Sequence, residues 1–293
     1  MKNADMALYG AKMERGTCRF FAPEMDASMK ARTNMEAGLR KAFVNGEFEL
    51  FYQPLINTQR NEISCCEALL RWHHPQSGMI PPAEFIPIAE DMGLIIPLGE
   101  WVLRKACADA AEWPDNVNVA VNVSTIQFRR QGLTQTVLAA LAASGLPAHR
   151  LEIEITESVI LEDSNDIRAT LQQLHELGVQ IVMDDFGTGY SSLIYLRKFP
   201  FDKIKIDAFV VRGLSDGSDC GTIVEAITKM ANTMKIATVV EGIETQQQLE
   251  KVREGGCTEM QGYLFSHPKP VEEILPMFAR RAERTKMRQA PLD

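Results

Sequence analysis

The chain alternates between short runs of β-forming residues and longer amphipathic segments, and this alternation constrains its fold more than any other feature. The pattern predicts eight strands: Phe48–Leu55, Ser64–Trp72, Asn118–Ser124, Leu151–Thr156, Gln180–Asp185, Lys203–Asp207, Ala237–Gly242 and Met260–Phe265. Helical periodicity separates most of them, as in Pro97–Glu112, Thr134–Ser144, Asp166–Leu177, Thr222–Met234 and Gln246–Glu254. Such alternation is typical of an α/β protein, and eight repeats favour a (β/α)8 TIM-like barrel over a doubly wound open sheet.

The composition is that of a globular protein and argues against several classes of function. Of the 293 residues, 45% are hydrophobic and 24% are charged, which excludes a disordered or collagen-like chain. The 31 Lys and Arg against 39 Asp and Glu give a net charge of −8, so we expect no DNA partner. No apolar run approaches the ~20 residues that a membrane helix requires, so we expect no membrane contact by this chain. The six scattered cysteines, without a CxxC pair, predict reduced thiols and a cytoplasmic location.

Residues 1–30 do not continue the strand and helix repeat. The segment Ala22–Ser28 is predicted to be a connector that leads into a helix near Ala31–Val44. We therefore assign residues 31–285 to the barrel domain and residues 286–293 to a C-terminal tail. The native protein is expected to continue upstream of this chain, and a membrane tether of the full-length protein would lie in that missing N-terminal region.

Acidic and amide side chains occur at or near the carboxyl ends of several predicted strands, where an apolar core would not place them. They are Glu67, Asn122, Glu154, Asp184, Asp185 and Glu241. In a barrel these strand ends converge on one mouth, where enzymes of this architecture keep their active sites. A single strand-end acid is usually solvated or paired with a surface cation, but this explanation does not suit so many on different strands. The sequence therefore predicts a carboxylate cluster at the barrel mouth.

A cluster of carboxylates is tolerated only if it shares protons or binds cations. Oxygen donors without His or Cys favour hard ions such as Mg²⁺ or Mn²⁺ over Zn²⁺. The adjacent Asp184 and Asp185 would suit a site with two metal ions. Lys205 ends the next strand and could position a water or stabilise negative charge, although a structural ion pair with Asp207 is an equal alternative. Arg71 could clamp a phosphate at the same mouth.

Two other functions remain open from the residues alone. The Gly-rich segment Asp185–Ser192 follows a strand, but it has neither the Lys of a P-loop nor GxGxxG spacing, so it argues only weakly for a nucleotide cofactor. A metal-dependent barrel enzyme that acts on carbon acids is also compatible with the acidic strand ends.

Five motifs together closely resemble the EAL-domain family, from about Ala31 to about Ala279 and in the family's order. They are Glu67–Trp72, Asp184–Leu193, Lys205–Asp207, Glu241–Thr245 and Gln261–Phe265. The resemblance implies a modified TIM barrel whose first strand is antiparallel to the others. It also implies hydrolysis of the bacterial second messenger cyclic di-GMP to linear pGpG. A degenerate member that binds cyclic di-GMP without cleaving it, as a receptor or scaffold, is the alternative; such members lack ligand positions that are filled here.

The resemblance implies a role for each matching residue. Two Mg²⁺ or Mn²⁺ ions would be held by Glu67, Asn122, Glu154, Asp184 and Asp185. Glu241 would complete the surroundings of the second ion or act as the base, and Lys205 would hold the attacking water. The substrate would be contacted by Arg71, the Leu70 backbone, Gln53 and Gln261. Glu157 and Glu244 would support the loop that follows Asp185.

The resemblance also implies a homodimer, formed through the loop after Asp185 and the helix that follows it. At the N-terminus, Ala4–Lys12 resembles the last helix of a GGDEF domain, so residues 1–30 are expected to be the remnant of such a domain and its linker. The signature loop of a diguanylate cyclase is absent, so we expect no synthesis of cyclic di-GMP by this chain.

Overall fold

The computed structural model describes residues 23–130, 132–161, 164–187, 196, 198–212 and 220–279. These residues form two compact units. The smaller unit contains residues 23–48 together with Trp72–Ile95, and we call it the helix–hairpin unit. The larger one contains Glu49–Arg71 and the described residues from Ile96 onward, and we call it the barrel unit.

The strands follow the predicted order along the chain. They are β1 (Phe48–Asn57), β2 (Ile63–His74), β3 (Gly78–Ile80), β4 (Asn118–Asn122), β5 (Leu151–Thr156), β6 (Gln180–Phe186), β7 (Lys203–Ile206), β8 (Ala237–Val240), β9 (Glu259–Met260) and β10 (Lys269–Pro270). The barrel is closed in the order β1, β9, β8, β7, β6, β5, β4 and β2, and β2 pairs with β1 again. The run from β2 through β4 to β9 is parallel, whereas β1 is antiparallel to β9. The predicted TIM-like barrel with an antiparallel first strand is thus confirmed.

The helices connect these strands. They are α1 (Pro23–Asn45), α2 (Pro82–Asp91), α3 (Ile95–Ala111), α4 (Thr125–Arg129), α5 (Leu133–Ser144), α6 (Glu157–Leu161), α7 (Asn165–Glu176), α8 (Ala208–Arg212), α9 (Cys220–Thr233) and α10 (Gln246–Glu254), and residues 271–279 are also helical. Local sequence explains several of their limits. The Ser164 hydroxyl accepts a hydrogen bond from the Ile167 backbone N–H and begins α7. The side chains of Thr245 and Gln248 form a capping box at the start of α10.

The barrel unit has its main hydrophobic core between the strands and the surrounding helices. Alternate strand residues such as Val119, Ile153 and Ile181 are buried in this core. A small apolar layer is formed by Leu55, Cys65, Ala120 and Val239. The other side chains of these strands are largely polar or charged, so the barrel keeps its charged residues apart from the helix-packed core.

The helix–hairpin unit has its own small aromatic core. The indole of Trp72 packs against the rings of Phe48 and Phe85, with centroid distances of 5.9 and 5.7 Å. Its Nε1 donates a hydrogen bond to Glu47 at 3.0 Å. Gly38 on α1 lies against the same indole, where a larger residue would force the ring to shift.

Two local predictions were wrong. The predicted connector Ala22–Ser28 is helical from Pro23 onward, since proline is well suited to the first turn of a helix. The predicted strand Met260–Phe265 ends at Met260. Beyond it the chain turns, because the Phe265 N–H donates to the Gly262 carbonyl at 3.1 Å and Gly262 has a φ of +159°.

Several predictions fall on residues that the structure does not describe. These are the GGDEF remnant as far as residue 22, the loop residues 188–195 that would form the dimer contact, and the tail 286–293. The cysteines described as free and buried are Cys65, Cys66, Cys107 and Cys257. None of the described helices is long and apolar enough to cross a lipid bilayer.

Candidate active site

The ammonium group of Lys205 is the centre of the candidate site. It is 1% exposed and lies at the end of β7 among carboxylates from four other strands or strand ends. Its Nζ lies 2.7 Å from Glu241, 3.0 Å from Glu154, and 3.4 Å from both Glu67 and Asp184. The barrel therefore brings together, around one cation, four acids that are far apart in the sequence.

Lys205 does not pair with Asp207, so that structural alternative is wrong. Asp207 instead accepts a hydrogen bond from the Phe209 backbone N–H at 2.7 Å, at the beginning of α8. Burial acts to lower the pKa of Lys205, but the nearby carboxylates of Asp184, Glu154 and Glu241 outweigh it and raise this pKa well above its ordinary value. The side chain is consequently a permanent positive charge at neutral pH.

Amide side chains hold the Glu67 carboxylate from the other side. Asn122 Nδ2 and Gln261 Nε2 each donate to it at 2.8 Å. Gln261 also donates to Gln53 Oε1 at 3.3 Å. Burial acts to raise the pKa of Glu67, but Lys205 and these amide donors outweigh it and lower the pKa. Glu67 therefore stays ionised with its two oxygens fixed.

Two other acids of the cluster are harder to ionise. Burial raises the pKa of Glu154 well above its ordinary value, although Lys205 opposes this. Burial raises the pKa of Glu241 to about 7, again against the effect of Lys205. A carboxyl group with this pKa can take up or release a proton near neutral pH, which is what a general base requires.

The donor set fits a hard divalent cation. Among the described residues, no three acidic, His or Cys side chains form a ready-made metal cage, because the carboxylates are arranged around Lys205. Glu154 is 1% exposed, yet its Oε1 has no hydrogen-bond partner, and the same is true of the buried Oε1 of Gln261. Buried oxygens without donors are unfavourable unless a cation or a ligand meets them, and oxygen ligands are those that Mg²⁺ and Mn²⁺ prefer.

Asp184 and Asp185 lie where the β6 ladder is irregular. The pairing with β7 shifts register between Met183 and Phe186, and Asp185 has a φ of +58°. Positive φ is uncommon outside glycine and is found at functional sites. Burial, followed by the charge of Asp184, raises the pKa of Asp185. The bulge therefore presents two adjacent acids at one strand end.

A cavity of about 320 Å³ opens directly over Lys205. The predicted site residues that line it are Gln53, Glu67, Asp184, Lys205, Glu241, Glu244 and Gln261. Residues that the sequence did not single out also line it, namely Leu69, Ala208, Gly242, Gly262 and Tyr263. Except for Ala208, these lie within two residues of a predicted site residue, and this proximity was the signal that could have found them.

Arg71 lies in β2 and has a defined position. Its guanidinium is 5.5 Å from the centre of the Phe51 ring, and Nη1 donates to the Leu70 carbonyl at 2.9 Å. Burial lowers the pKa of Arg71, but the group remains cationic at any physiological pH. The Leu70 side chain packs against the main core, and its neighbour Leu69 is the one that lines the cavity. A phosphate contact by Arg71 or by the Leu70 backbone stays a prediction.

The two acids expected to support the loop after Asp185 have different positions. Glu157 begins α6, and Glu244 lines the cavity with its backbone N–H bonded to Gln248 Oε1 at 2.9 Å. Their supporting role stays a prediction, because residues 188–195 are outside the described part of the chain.

Gly262 allows the two loops that carry Glu241 and Gln261 to touch. The Ile243 N–H donates to the Gln261 carbonyl at 3.0 Å, and a Cβ on Gly262 would lie 2.1 Å from the Ile243 carbonyl oxygen. Because that obstacle is backbone, it cannot move aside cheaply. Only glycine is compatible with this contact.

We expect Gly262→Ala to lower the free energy of unfolding by on the order of 3 kcal/mol, since strain and a clash combine. Urea denaturation would measure the loss. Gly256→Ala is the matched control, because Gly256 also has a positive φ of +75° but open space at the Cβ position. It should lose only about 1 kcal/mol. Equal losses in the two variants would contradict a role for the loop contact.

Comparison with known proteins agrees with this geometry. The chain matches the EAL domain over residues 36–268. It is 40% identical to the bifunctional diguanylate cyclase/cyclic di-GMP phosphodiesterase MucR of Pseudomonas aeruginosa, over 95% of this chain and 42% of MucR. It is 37% identical to the cyclic di-GMP phosphodiesterase PdeR of Escherichia coli, over 92% of this chain and 41% of PdeR. The chain thus spans less than half the length of these relatives.

A solved structure extends the similarity to three dimensions. The PaMucR phosphodiesterase in complex with c-di-GMP superimposes with a TM-score of 0.79 at 41% identity, over 83% of this chain and all of the other. The barrel with its antiparallel first strand lies within the matched residues 36–268. The acids around Lys205 lie within the same residues. This chain belongs to the EAL domain family.

Proposed function

We propose that this chain is a metal-dependent phosphodiesterase that hydrolyses cyclic di-GMP to linear 5′-pGpG. The observation that carries the proposal is the convergence of four carboxylates on the buried ammonium of Lys205 in a cavity at the barrel mouth. The names of MucR and PdeR, and the cyclic di-GMP in the PaMucR complex, support this choice of substrate.

In the proposed reaction, the oxygen of a water molecule forms a bond to phosphorus and the bond from phosphorus to the 3′ oxygen breaks. The electron pair of the broken bond stays on the 3′ oxygen, which takes a proton from solvent water. Glu241 accepts the proton of the attacking water, and its pKa of about 7 suits this role. Lys205 donates hydrogen bonds to the attacking water and stabilises negative charge that develops beside it.

The remaining site residues bind and orient. We assign Gln53, Gln261, Arg71 and the Leu70 backbone to the substrate. Glu67, Asn122, Glu154, Asp184 and Asp185 would hold two Mg²⁺ or Mn²⁺ ions. When bound, such ions neutralise phosphate charge and lower the pKa of a coordinated water. Glu157 and Glu244 are proposed to support the loop after Asp185 that carries the proposed dimer contact, and the chain is proposed to act in the cytoplasm.

The test is to incubate the purified chain with cyclic di-GMP and Mg²⁺ and to separate the nucleotides by chromatography. A single product with the retention of synthetic pGpG is the expected result. Tight binding in a calorimetric titration without any product would contradict the proposal and favour the receptor function. Light scattering of the same sample would test for the dimer, for which a monomer is the contrary outcome.

A further inference from the structure

A second cluster of buried charges lies inside the barrel unit, close to the candidate active site. Lys203 Nζ lies 2.8 Å from both carboxylate oxygens of Glu152 and 2.6 Å from Glu259. Asn118 donates a hydrogen bond to Glu152 at 2.9 Å. Glu152 is fully buried, and the side chains of Lys203 and Glu259 are less than one tenth exposed. We call Glu152, Lys203 and Glu259 the lower ionic layer.

Each member of the lower ionic layer precedes a residue of the active site by two positions. Glu154, Lys205 and Gln261 are those residues, and they lie on or directly after β5, β7 and β9. Alternate residues of a strand point to the same side. The ion pair of Lys205 with Glu154 therefore repeats, one layer nearer the mouth, the ion pair of Lys203 with Glu152.

The ion pairs of the lower ionic layer join residues that lie at different levels of the backbone ladders. In the backbone ladders, Glu154 is level with Val182, and Val182 is level with Lys203. Lys203 nevertheless pairs with Glu152, two positions below that level, because barrel strands are staggered. A side-chain contact that crosses the ladder rows fixes this stagger, since sliding either strand by one residue would turn its charged side chain away.

The backbone alone does not fully fix β7 at the height of Lys205. On the β8 side its ladder is regular, with Lys205 opposite Val239. On the β6 side the register shifts between Met183 and Phe186. Ile204 is the last residue of β7 that pairs with β6 before this region, so the ion pairs of Lys203 act one residue before the regular ladder ends.

A purely stabilising role would not require charges here. Replacing a buried ion pair by apolar groups of similar volume is often neutral or favourable for stability, whereas ionic groups specify register. Burial acts to lower the pKa of Lys203, but Glu152 and Glu259 outweigh it and raise this pKa well above its ordinary value. Lys203 is therefore cationic at neutral pH, and its contacts with the two acids are directional.

We infer that the lower ionic layer is a positioning device. It sets the stagger of β5, β7 and β9 and thereby the positions of Glu154, Lys205 and Gln261, which lie one layer nearer the mouth. Its effect on turnover rests on the proposed phosphodiesterase function. Small displacements of a catalytic group lower kcat steeply. KM changes less, because substrate contacts made elsewhere in the cavity remain.

The test variant is Glu152→Gln/Lys203→Met/Glu259→Gln, which removes all three charges at once and leaves none unpaired. We expect a cooperatively melting protein whose kcat is lower by about 10-fold to 10²-fold, with a smaller change in KM. Ile204→Val is the matched control, because Ile204 lies on the same strand but is buried in the main core. It should keep the wild-type kcat.

A crystal structure of the variant gives a readout that does not depend on activity. The contact between Lys205 Nζ and Glu154, 3.0 Å in the wild type, is expected to be lost. Wild-type kcat, or an unchanged contact, would overturn the inference. If the triple variant does not fold, the single variant Glu259→Gln is measured instead, because it keeps the Glu152–Lys203 pair. A kcat below that of the wild type would support the inference, and wild-type kcat would overturn it. If the wild-type chain lacks phosphodiesterase activity, the proposed function fails and the crystal structure alone decides.

Discussion

Removal of divalent cations from the purified chain is expected to abolish hydrolysis of cyclic di-GMP, and added Mg²⁺ or Mn²⁺ is expected to restore it. Four carboxylates face one ammonium group in the cavity, so an anionic phosphodiester would meet net negative charge there. Lys205 cannot offset this alone. Two divalent cations would reverse the sign of the field, and their loss should therefore reduce turnover to the detection limit.

Ca²⁺ provides the control for this experiment. It binds oxygen ligands but prefers more of them at longer distances, so it should support substrate binding and restore little turnover. Far-ultraviolet circular dichroism should show that the chain stays folded in chelator, since Lys205 already partners the acids. Full activity in the presence of excess chelator would contradict the metal assignment.

The barrel could be predicted from the sequence because its signal is local. Each strand is a short run of β-forming residues, and amphipathic helices such as α7 carry their own apolar spacing and cap. The turn at residues 261–265 could not be predicted. Gln261–Phe265 has a strand-like composition, but the contact of Gly262 with the Ile243 backbone is tertiary and overrides local preference.

The membership of the site was largely predictable, but its organisation was not. Alternation along β5 and β7 indicates that Glu154 and Lys205 point into the barrel. It does not indicate which acids a given lysine meets, because that depends on the stagger at which the strands close. For this reason Asp207, the acid nearest in sequence, was a reasonable but wrong partner for Lys205.

The same limit applies to the lower ionic layer. Glu152 and Lys203 are recognisable as charged residues on inward faces, yet they are separated by 51 positions and by the intervening strand β6. Only closure of the barrel brings them together. The residues that set the geometry of the site are thus less visible in the sequence than the residues that form it.

Lys205→Met is expected to fold and to bind both metal and cyclic di-GMP, while kcat falls by on the order of 10²-fold or more. Methionine keeps much of the apolar stem but removes the charge and the donors. An ammonium cannot ligate a cation, so we expect Lys205 to act on the water or on the developing charge. An interaction made mainly in the transition state lowers kcat without an equal loss of substrate binding.

The structure adds an expected effect on stability. Removing Lys205 leaves Glu154 and Glu241 buried without their cation, which typically costs roughly 3–5 kcal/mol. Bound Mg²⁺ would replace the missing charge. Mg²⁺ binds the folded chain alone and therefore raises the melting temperature. The rise should be larger in the variant than in the wild type, because only in the variant does the ion replace a missing charge.

Calorimetric titration of cyclic di-GMP in Ca²⁺, together with a rate assay in Mg²⁺, separates binding from chemistry. Lys229→Met is the matched control, since Lys229 is a surface lysine that is 73% exposed and, within the described part of the chain, forms its ion pair with Glu225 four residues before it. It should leave both kcat and the melting temperature close to wild type, as surface pairs contribute little. Near-normal turnover of Lys205→Met, or loss of binding in a folded protein, would exclude Lys205 from the chemical step. Its four carboxylate contacts would then have to be purely structural, and the proposed mechanism would lose the residue at its centre.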